Sequence, residues 1–323
     1  MNEIELIDYL TEGFPIRHNN VVKGIGDDCS VWKENDEYRV FTTDSMVEGD
    51  HFLKDWFTSE EIGMRAVETN LSDVASMGAI PTFLYISLIV DDRTSPEWLK
   101  GLYKGIRSKC EEHRLTLMGG NITHGKTLSI TIGVQGDCKT IPVYRNGARN
   151  GDLVVVTGTI GDACVARMVL NKKKQISEAL KERLGHPRAR IKEAVVIAKF
   201  ASAMIDISDG IASEARHIAT QSNLGVEIDA ESIPTRMQVK ELASIAGIDV
   251  LEAQLRGGED YELMFTISPD NFDELKKEYY LHSLIGLTPI GKMISKKKYL
   301  YLKNKVEHEL PKGFDHFSSN INL

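Results

Sequence analysis

A series of short acidic segments, each beside a glycine or at the end of a strand-like run, carries the chemistry of this chain. Gly24-Ile25-Gly26-Asp27-Asp28 sets paired carboxylates behind glycines that can adopt backbone angles closed to other residues. Thr42-Thr43-Asp44 closes a strand-like run, Asn70-Leu71-Ser72-Asp73 lies within a helical pattern, and Asp206-Ile207-Ser208-Asp209-Gly210 leaves a strand into a turn. Gly257-Gly258-Glu259-Asp260-Tyr261-Glu262 repeats the arrangement. Magnesium prefers oxygen ligands and usually takes one or two carboxylates together with water and substrate phosphates, so acids distributed in this way suit several such ions. Singly, each segment has a plainer reading, because Asp-Gly is ordinarily a turn and a strand-terminal Asp ordinarily a cap. Their joint presence is what favours a site.

Gly24-Ile25-Gly26 begins like the dinucleotide fingerprint G-x-G-x-x-G, but the third glycine would fall at Cys29, and acids stand where a pyrophosphate must approach backbone amides. The H-R-D and D-F-G strings of protein kinases do not occur. At 323 residues the chain exceeds the size at which a single core usually stops growing, so two domains are expected. Lys plus Arg total 39 against 47 Asp plus Glu, a formal net charge of -8, which argues against a nucleic-acid partner. Met1-Asn2-Glu3-Ile4-Glu5 lacks the parts of a signal peptide, and no run reaches the ~20 apolar residues of a membrane span, so a cytoplasmic protein is expected. Cys29, Cys110, Cys138 and Cys164 form no C-x-x-C pair and read as reduced thiols.

The acids need elements to hold them. Tyr38 to Thr43 predicts a strand that delivers Asp44 at its C-terminal end. Thr58-x-x-Glu61 matches a capping box and opens a helix. On it Val67, Leu71, Val74 and Gly78 form an inward stripe, while Asn70, Asp73 and Met77 lie beside them and aim Asp73 at the edge of whatever the helix covers. The nearly unbroken apolar run from Thr82 to Val90 predicts a buried strand. Ser95-Pro96-Glu97 then opens a helix to about His113. A turn-rich stretch from Pro142 to Asp152 divides the chain into domains at 1-140 and 149-323. The second part predicts strands at 153–157, 204–207, 226–228 and 261–267, with helices between 161 and 200 and over 211–221. The fold class expected for both parts is α+β, mixed sheets packed with helices.

Taken in order, GIGDDC, TTDSMVEGDHF, NLSDVASMGA, GGNITHG, IDISDG and GGEDYEL resemble the successive motifs of the thiamine-monophosphate kinase family. That family is similar to the wider aminoimidazole ribonucleotide synthetase superfamily, and the resemblance runs from about Gly24 to Phe317. It implies a homodimer that binds ATP and several magnesium ions and phosphorylates thiamine monophosphate; because that acceptor's phosphate is already largely deprotonated near neutral pH, no covalent phosphoenzyme is expected. Carried over by motif, it implies magnesium at Asp28, Thr42, Thr43, Asp44, Asp73, Asp206 and Asp209, with Asp27 as a supporting acid. Tyr103, Gly119, Gly120, Arg145 and Ser208 correspond to nucleotide contacts, and His51, Glu259 and Phe314 to the acceptor site. One departure is Asn121, which replaces the family's metal-binding Asp; an amide oxygen can still coordinate, but the cage loses a negative charge and weaker occupancy of one ion is expected. Rival readings are a synthetase of the same superfamily and a non-catalytic binder of divalent metal.

Overall fold

The computed structural model describes residues 3–172 and 176–313. After helix α1 (Glu3–Thr11), the first half builds a sheet from β1 (Val21–Lys23), β2 (Ser30–Glu34), β3 (Glu37–Val47), β4 (Ile80–Val90), β5 (Thr116–His124) and β6 (Ser129–Cys138), with α2 (Ser59–Ser76) and α3 (Pro96–His113) between strands. The strand order is β1-β2-β3-β6-β4-β5, and only the β4–β5 pair is parallel.

The capping box at α2 forms as its letters predict: Thr58 Oγ1 accepts from the Glu61 N–H at 3.2 Å, and Glu61 Oε2 accepts from the Thr58 N–H at 2.6 Å. Removing the hydroxyl in Thr58→Ala is expected to cost about 1 kcal/mol, read as a shift in the urea midpoint at constant slope. Helix α3 lies close on α2 because Gly63 and Gly105 face backbone; a Cβ at either would overlap the carbonyl of Leu102 or Glu60.

Two expectations change here. The strand carrying Asp44 continues to Val47, so Asp44 sits inside β3 and not at its end. In β4 only alternate residues are covered: Leu84, Ile86 and Leu88 are buried, whereas Tyr85 and Ile89 are exposed. Helix α2 covers one face of the sheet; the other face is bare in the single chain, and the edge strand β5 is exposed on both. An apolar run that lacks polar alternation signals two apolar faces, not two covered ones.

The second half contains α4 (Asp162–Asn171), α5 (Glu178–Gly185), α6 (Ile191–Ile197), α7 (Ile211–Gln221), α8 (Met237–Ala246), α9 (Val250–Arg256) and α10 (Pro269–Tyr279). Its strands are β7 (Leu153–Thr157), β8 (Ala203–Asp206), β9 (Gly225–Asp229), β10 (Leu263–Ile267), β11 (Leu287–Ile294), β12 (Tyr299–Lys303) and β13 (Val306–Glu309), ordered β13-β12-β9-β11-β7-β10-β8. This sheet is covered on both sides. Val154 and Val156 of β7 join a core with Ile211, Ala215 and Ile218 of α7, while Val155 joins another with Ile197 of α6 and Leu275 of α10. Strand β10 starts at Leu263 and not at Tyr261, because Glu259 and Tyr261 adopt positive φ (71° and 51°) and belong to a tight loop. Helix α2 packs against β8, α5 and α6 as well as its own sheet, which is why far more of it is buried than one stripe.

Candidate functional site

Helix α2 collects the acids. Strand β8 ends on Asp206, the segment after Gly26 carries Asp28, and α2 itself carries Asp73; one carboxylate oxygen from each lies within 4.8 Å of the others. Neighbouring hydroxyls and one amide orient this group. Ser72 Oγ donates to Asp206 Oδ2 at 2.7 Å, Ser76 Oγ to Asp28 Oδ2 at 2.6 Å, and Thr42 Oγ1 to Asp73 Oδ2 at 2.6 Å. Asp44 shares the inner face of β3 with Thr42, and its N–H donates to Asn70 Oδ1 at 2.9 Å. Thr43 points to the opposite face.

The electrostatics are those of crowded, desolvated anions. Burial, and then the charges of Asp44, Asp206 and Asp28, push the Asp73 carboxyl well above its ordinary range. Asp206 is pushed up to about 8 by burial and then by Asp28. Asp27 is raised to about 6 by burial and by Asp28, with Arg145 working the other way. The principal positive charge is Arg145, whose Nε donates to Asp28 Oδ1 at 2.9 Å while Nη2 reaches the same oxygen, and whose backbone N–H donates to Asp27 at 3.3 Å. Burial works against the guanidinium, but Asp28 outweighs it and raises the Arg145 pKa. The resemblance made Arg145 a nucleotide contact; here it is the counter-charge of the acids. Asp209 continues the group, its N–H donating to Glu214 Oε1 at 2.8 Å, and Glu214 is itself raised by burial and by Asp209.

A compact set of oxygen donors carrying more negative charge than its arginine can offset fits a hard divalent cation such as magnesium. The thiol beneath, Cys29, is spoken for by the Asp73 carbonyl at 3.5 Å and, buried among acids, is held protonated.

Of the acceptor residues named above, Glu259 lies in the tight loop before β10. Gly258 sits so closely on Ser208 that a Cβ would overlap its carbonyl oxygen, and the Glu259 N–H donates to that oxygen at 2.9 Å. The Glu259 carboxylate meets Arg65 of α2 at 2.6 Å. His51 lies in the turn after β3, and its Nδ1 accepts from the Val47 N–H at 3.2 Å. Phe314 lies outside the described residues.

Tyr103, Gly119, Gly120 and Asn121 are elsewhere. They line a cavity of about 280 Å³ with Leu117 and Ile122 on the bare edge of the first sheet. Register places Asp44 opposite Ile132, Ile132 opposite Ile86, and Ile86 opposite Gly120. Three strand spacings, about 14 Å, therefore separate them. Within one chain the structure does not bring these residues to the acids. The string Gly120 to Thr127 also spells the phosphate-loop motif G-x-x-x-x-G-K-T, but its residues to His124 form strand β5 and its end turns into β6, not into a helix. The letters are present without the strand–loop–helix that lets such a loop cradle phosphate.

Sequence reasoning missed the residues that hold the acids: Arg65, Ser72, Ser76 and Glu214, and the holding role of Asn70. A signal was available in α2, where polar residues recur at helical spacing through an otherwise apolar element.

Models of the AIR synthase related protein family match the chain twice, the N-terminal domain over residues 26–138 and the C-terminal domain over 149–303. The thiamine-monophosphate kinase of Buchnera aphidicola subsp. Schizaphis graminum is 34% identical over 326 residues, 98% of this chain and 99% of the relative. That of Aquifex aeolicus is 33% identical over 299 residues, 91% and 93% of the two chains. The solved structure of AaThiL complexed with AMPPCP and TMP superposes with a TM-score of 0.85 at 32% identity, covering 98% of this chain and 97% of that one. Escherichia coli HypE, a hydrogenase maturation protein, shares the fold at a TM-score of 0.72 and 20% identity over 84% of this chain and 85% of its own. With both family models matched in order and relatives aligned over nearly the whole length, this chain belongs to the thiamine-monophosphate kinase family of AIR synthase related proteins.

Proposed function

We propose that this chain transfers the γ-phosphoryl group of ATP to thiamine monophosphate, giving thiamine diphosphate, by direct in-line displacement with magnesium. The observation that carries this reading is the convergence of Asp28, Asp73 and Asp206 from separate segments into one cradle held by hydroxyls. The relative crystallised with AMPPCP, an ATP analogue, and TMP supports the same pair of substrates.

The acceptor phosphate needs no strong base, because its second pKa is about 6 and it is largely deprotonated at neutral pH. The obstacle is anion repulsion, about 4 kcal/mol for each pair of unit charges at ~4 Å and an effective dielectric of ~20. Magnesium, when bound, neutralises phosphate charge in the ground state and on the transferring group. The residues of this chain supply the rest. Asp28, Asp44, Asp73, Asp206 and Asp209, with Thr42 and the nearby Asp27, are the oxygen donors assigned to the ions; Thr43, on the opposite face of β3, and Asn121, three strands away, would reach an ion only through a second copy of the chain. Tyr103, Gly119, Gly120, Arg145 and Ser208 are assigned to the nucleotide; Glu259, His51 and Phe314 to the acceptor. None becomes phosphorylated.

The working form in this reading is a cytoplasmic homodimer. Tyr85 and Ile89 on the bare sheet face, with Leu117, Met118 and Ile122 on the edge strand β5, are 40–62% exposed, apolar surface of the kind a second copy would cover. Dimerisation there would place Tyr103, Gly119 and Gly120 at the seam. Among the described residues, no helix is long and apolar enough to cross a membrane.

Incubation with ATP, magnesium and thiamine monophosphate, followed by chromatography, is expected to yield thiamine diphosphate and ADP in equal amounts. Free thiamine should not serve as acceptor. Metal binding without ADP release would favour the non-catalytic alternative, and a trapped phosphoprotein would rule out direct transfer.

A further inference from the structure

Helix α2 carries a polar stripe toward the second half of the chain. Glu61 meets His186 at 3.3 Å, Arg65 reaches the carbonyl of Leu184 and the carboxylate of Glu259, Glu68 Oε2 accepts from the Ala189 N–H at 2.8 Å, and Ser72 holds Asp206. Most of these contacts close on themselves. Glu68, for example, is also paired with Lys109 and His113 at 2.8 Å each.

Arg65 is different. Its side chain is among the largest fully buried ones in the protein, yet it spends one arm on the Leu184 carbonyl and gives only the other to Glu259 Oε1 at 2.6 Å. Glu259 cannot adjust easily, because its φ is +71° and its N–H is tied to Ser208. Its second oxygen, Oε2, is buried and accepts no hydrogen bond among the described residues; Arg167 Nε, 3.8 Å away, pairs with it in charge but lies too far off to donate. A buried carboxylate oxygen without a hydrogen-bond donor is costly unless a ligand supplies one.

We infer that Arg65 is a positioning residue for the acceptor: it fixes Oε1 of Glu259 so that Oε2 is presented to the amino or cationic groups of the thiamine moiety. The inference rests on the function proposed above and deepens it. It also makes acceptor recognition a joint property of the two halves, since Arg65 belongs to α2 and Glu259 to the loop before β10.

The test is steady-state kinetics on the full chain with ATP and thiamine monophosphate varied separately, after thermal melting has shown that each variant is folded. Arg65→Met is expected to raise KM for thiamine monophosphate by about 10- to 100-fold, the worth of a hydrogen bond to a charged group, and to leave KM for ATP within about twofold. Arg65→Lys should recover part of the loss. Arg65→Met combined with Glu259→Gln should be no worse than Glu259→Gln alone, which a merely structural arginine would not produce. A rise in both KM values together, a fall in kcat alone, or effects that multiply in the double variant would overturn the inference. If Arg65→Met does not fold, Arg65→Lys decides: a raised acceptor KM supports the assignment and an unchanged one ends it. Unmodified protein that makes no thiamine diphosphate would instead overturn the functional reading, a result visible before any variant is made.

Discussion

Asp206→Asn is expected to abolish turnover while making the metal-free protein more stable. Loss of one carboxylate from a metal cradle removes several kcal/mol of transition-state stabilisation, a fall of about a thousandfold or more in kcat. The stability effect has the opposite sign. In the folded protein the Asp206 carboxyl titrates at about 8, raised from 3.8 by burial and then by Asp28. A raised acid contributes stability that is fully present below its unfolded pKa and is lost as pH rises through the folded one. Metal-free protein should therefore lose stability between about pH 4 and pH 8. The amide does not titrate, and its carbonyl can still accept from Ser72, so the variant should melt higher than the parent in chelator, with a larger margin at pH 8 than at pH 5. Magnesium should stabilise the parent most at pH 8. A variant that unfolds, or one that keeps full activity, would remove Asp206 from the site.

The second large effect is expected at Arg145. Asp28 has a fully buried side chain, and Arg145 Nε and Nη2 both hold one of its oxygens. In Arg145→Met that carboxylate keeps the Ser76 hydroxyl but loses its counter-charge. Breaking a buried ion pair at one end costs about 3–5 kcal/mol, which for a chain of this size is about 5 °C in Tm. Saturating magnesium should restore part of the loss, because the ion supplies positive charge to the same oxygens. Urea unfolding with and without magnesium measures both terms. A loss below about 1 kcal/mol would mean that the pair adds little to the fold, contrary to the buried contact seen.

These effects depend on contacts of very different legibility. The Thr58 cap, the limits of α7 at Ile211 and Gln221, and the start of α3 at Pro96 are local matters, settled by residues within a few positions of each other. The bare face of β4 was not readable, because an apolar side chain states what a surface prefers and not whether something covers it. Helix α10 was legible and was missed, since Ser268-Pro269-Asp270 repeats the opening of α3; strands β11 to β13 carry no comparable signal. In the site, the acids were legible as types and the resemblance put them in order. Their convergence was not, since Ser72 and Asp206 lie 134 residues apart in sequence. Arg145 shows the limit most clearly: its motif suggested a nucleotide, and only the packing revealed Asp28 as its partner.

The buried cysteines have a consequence of their own. Cys29 lies under the cluster of acids, Cys164 beneath Gly257, and both thiols are held protonated, chiefly by desolvation. A thiolate is the reactive form, so neither sulfur meets an alkylating reagent or a peroxide while the halves stay seated. Their rate of labelling therefore becomes a clock for how often the packing around them opens.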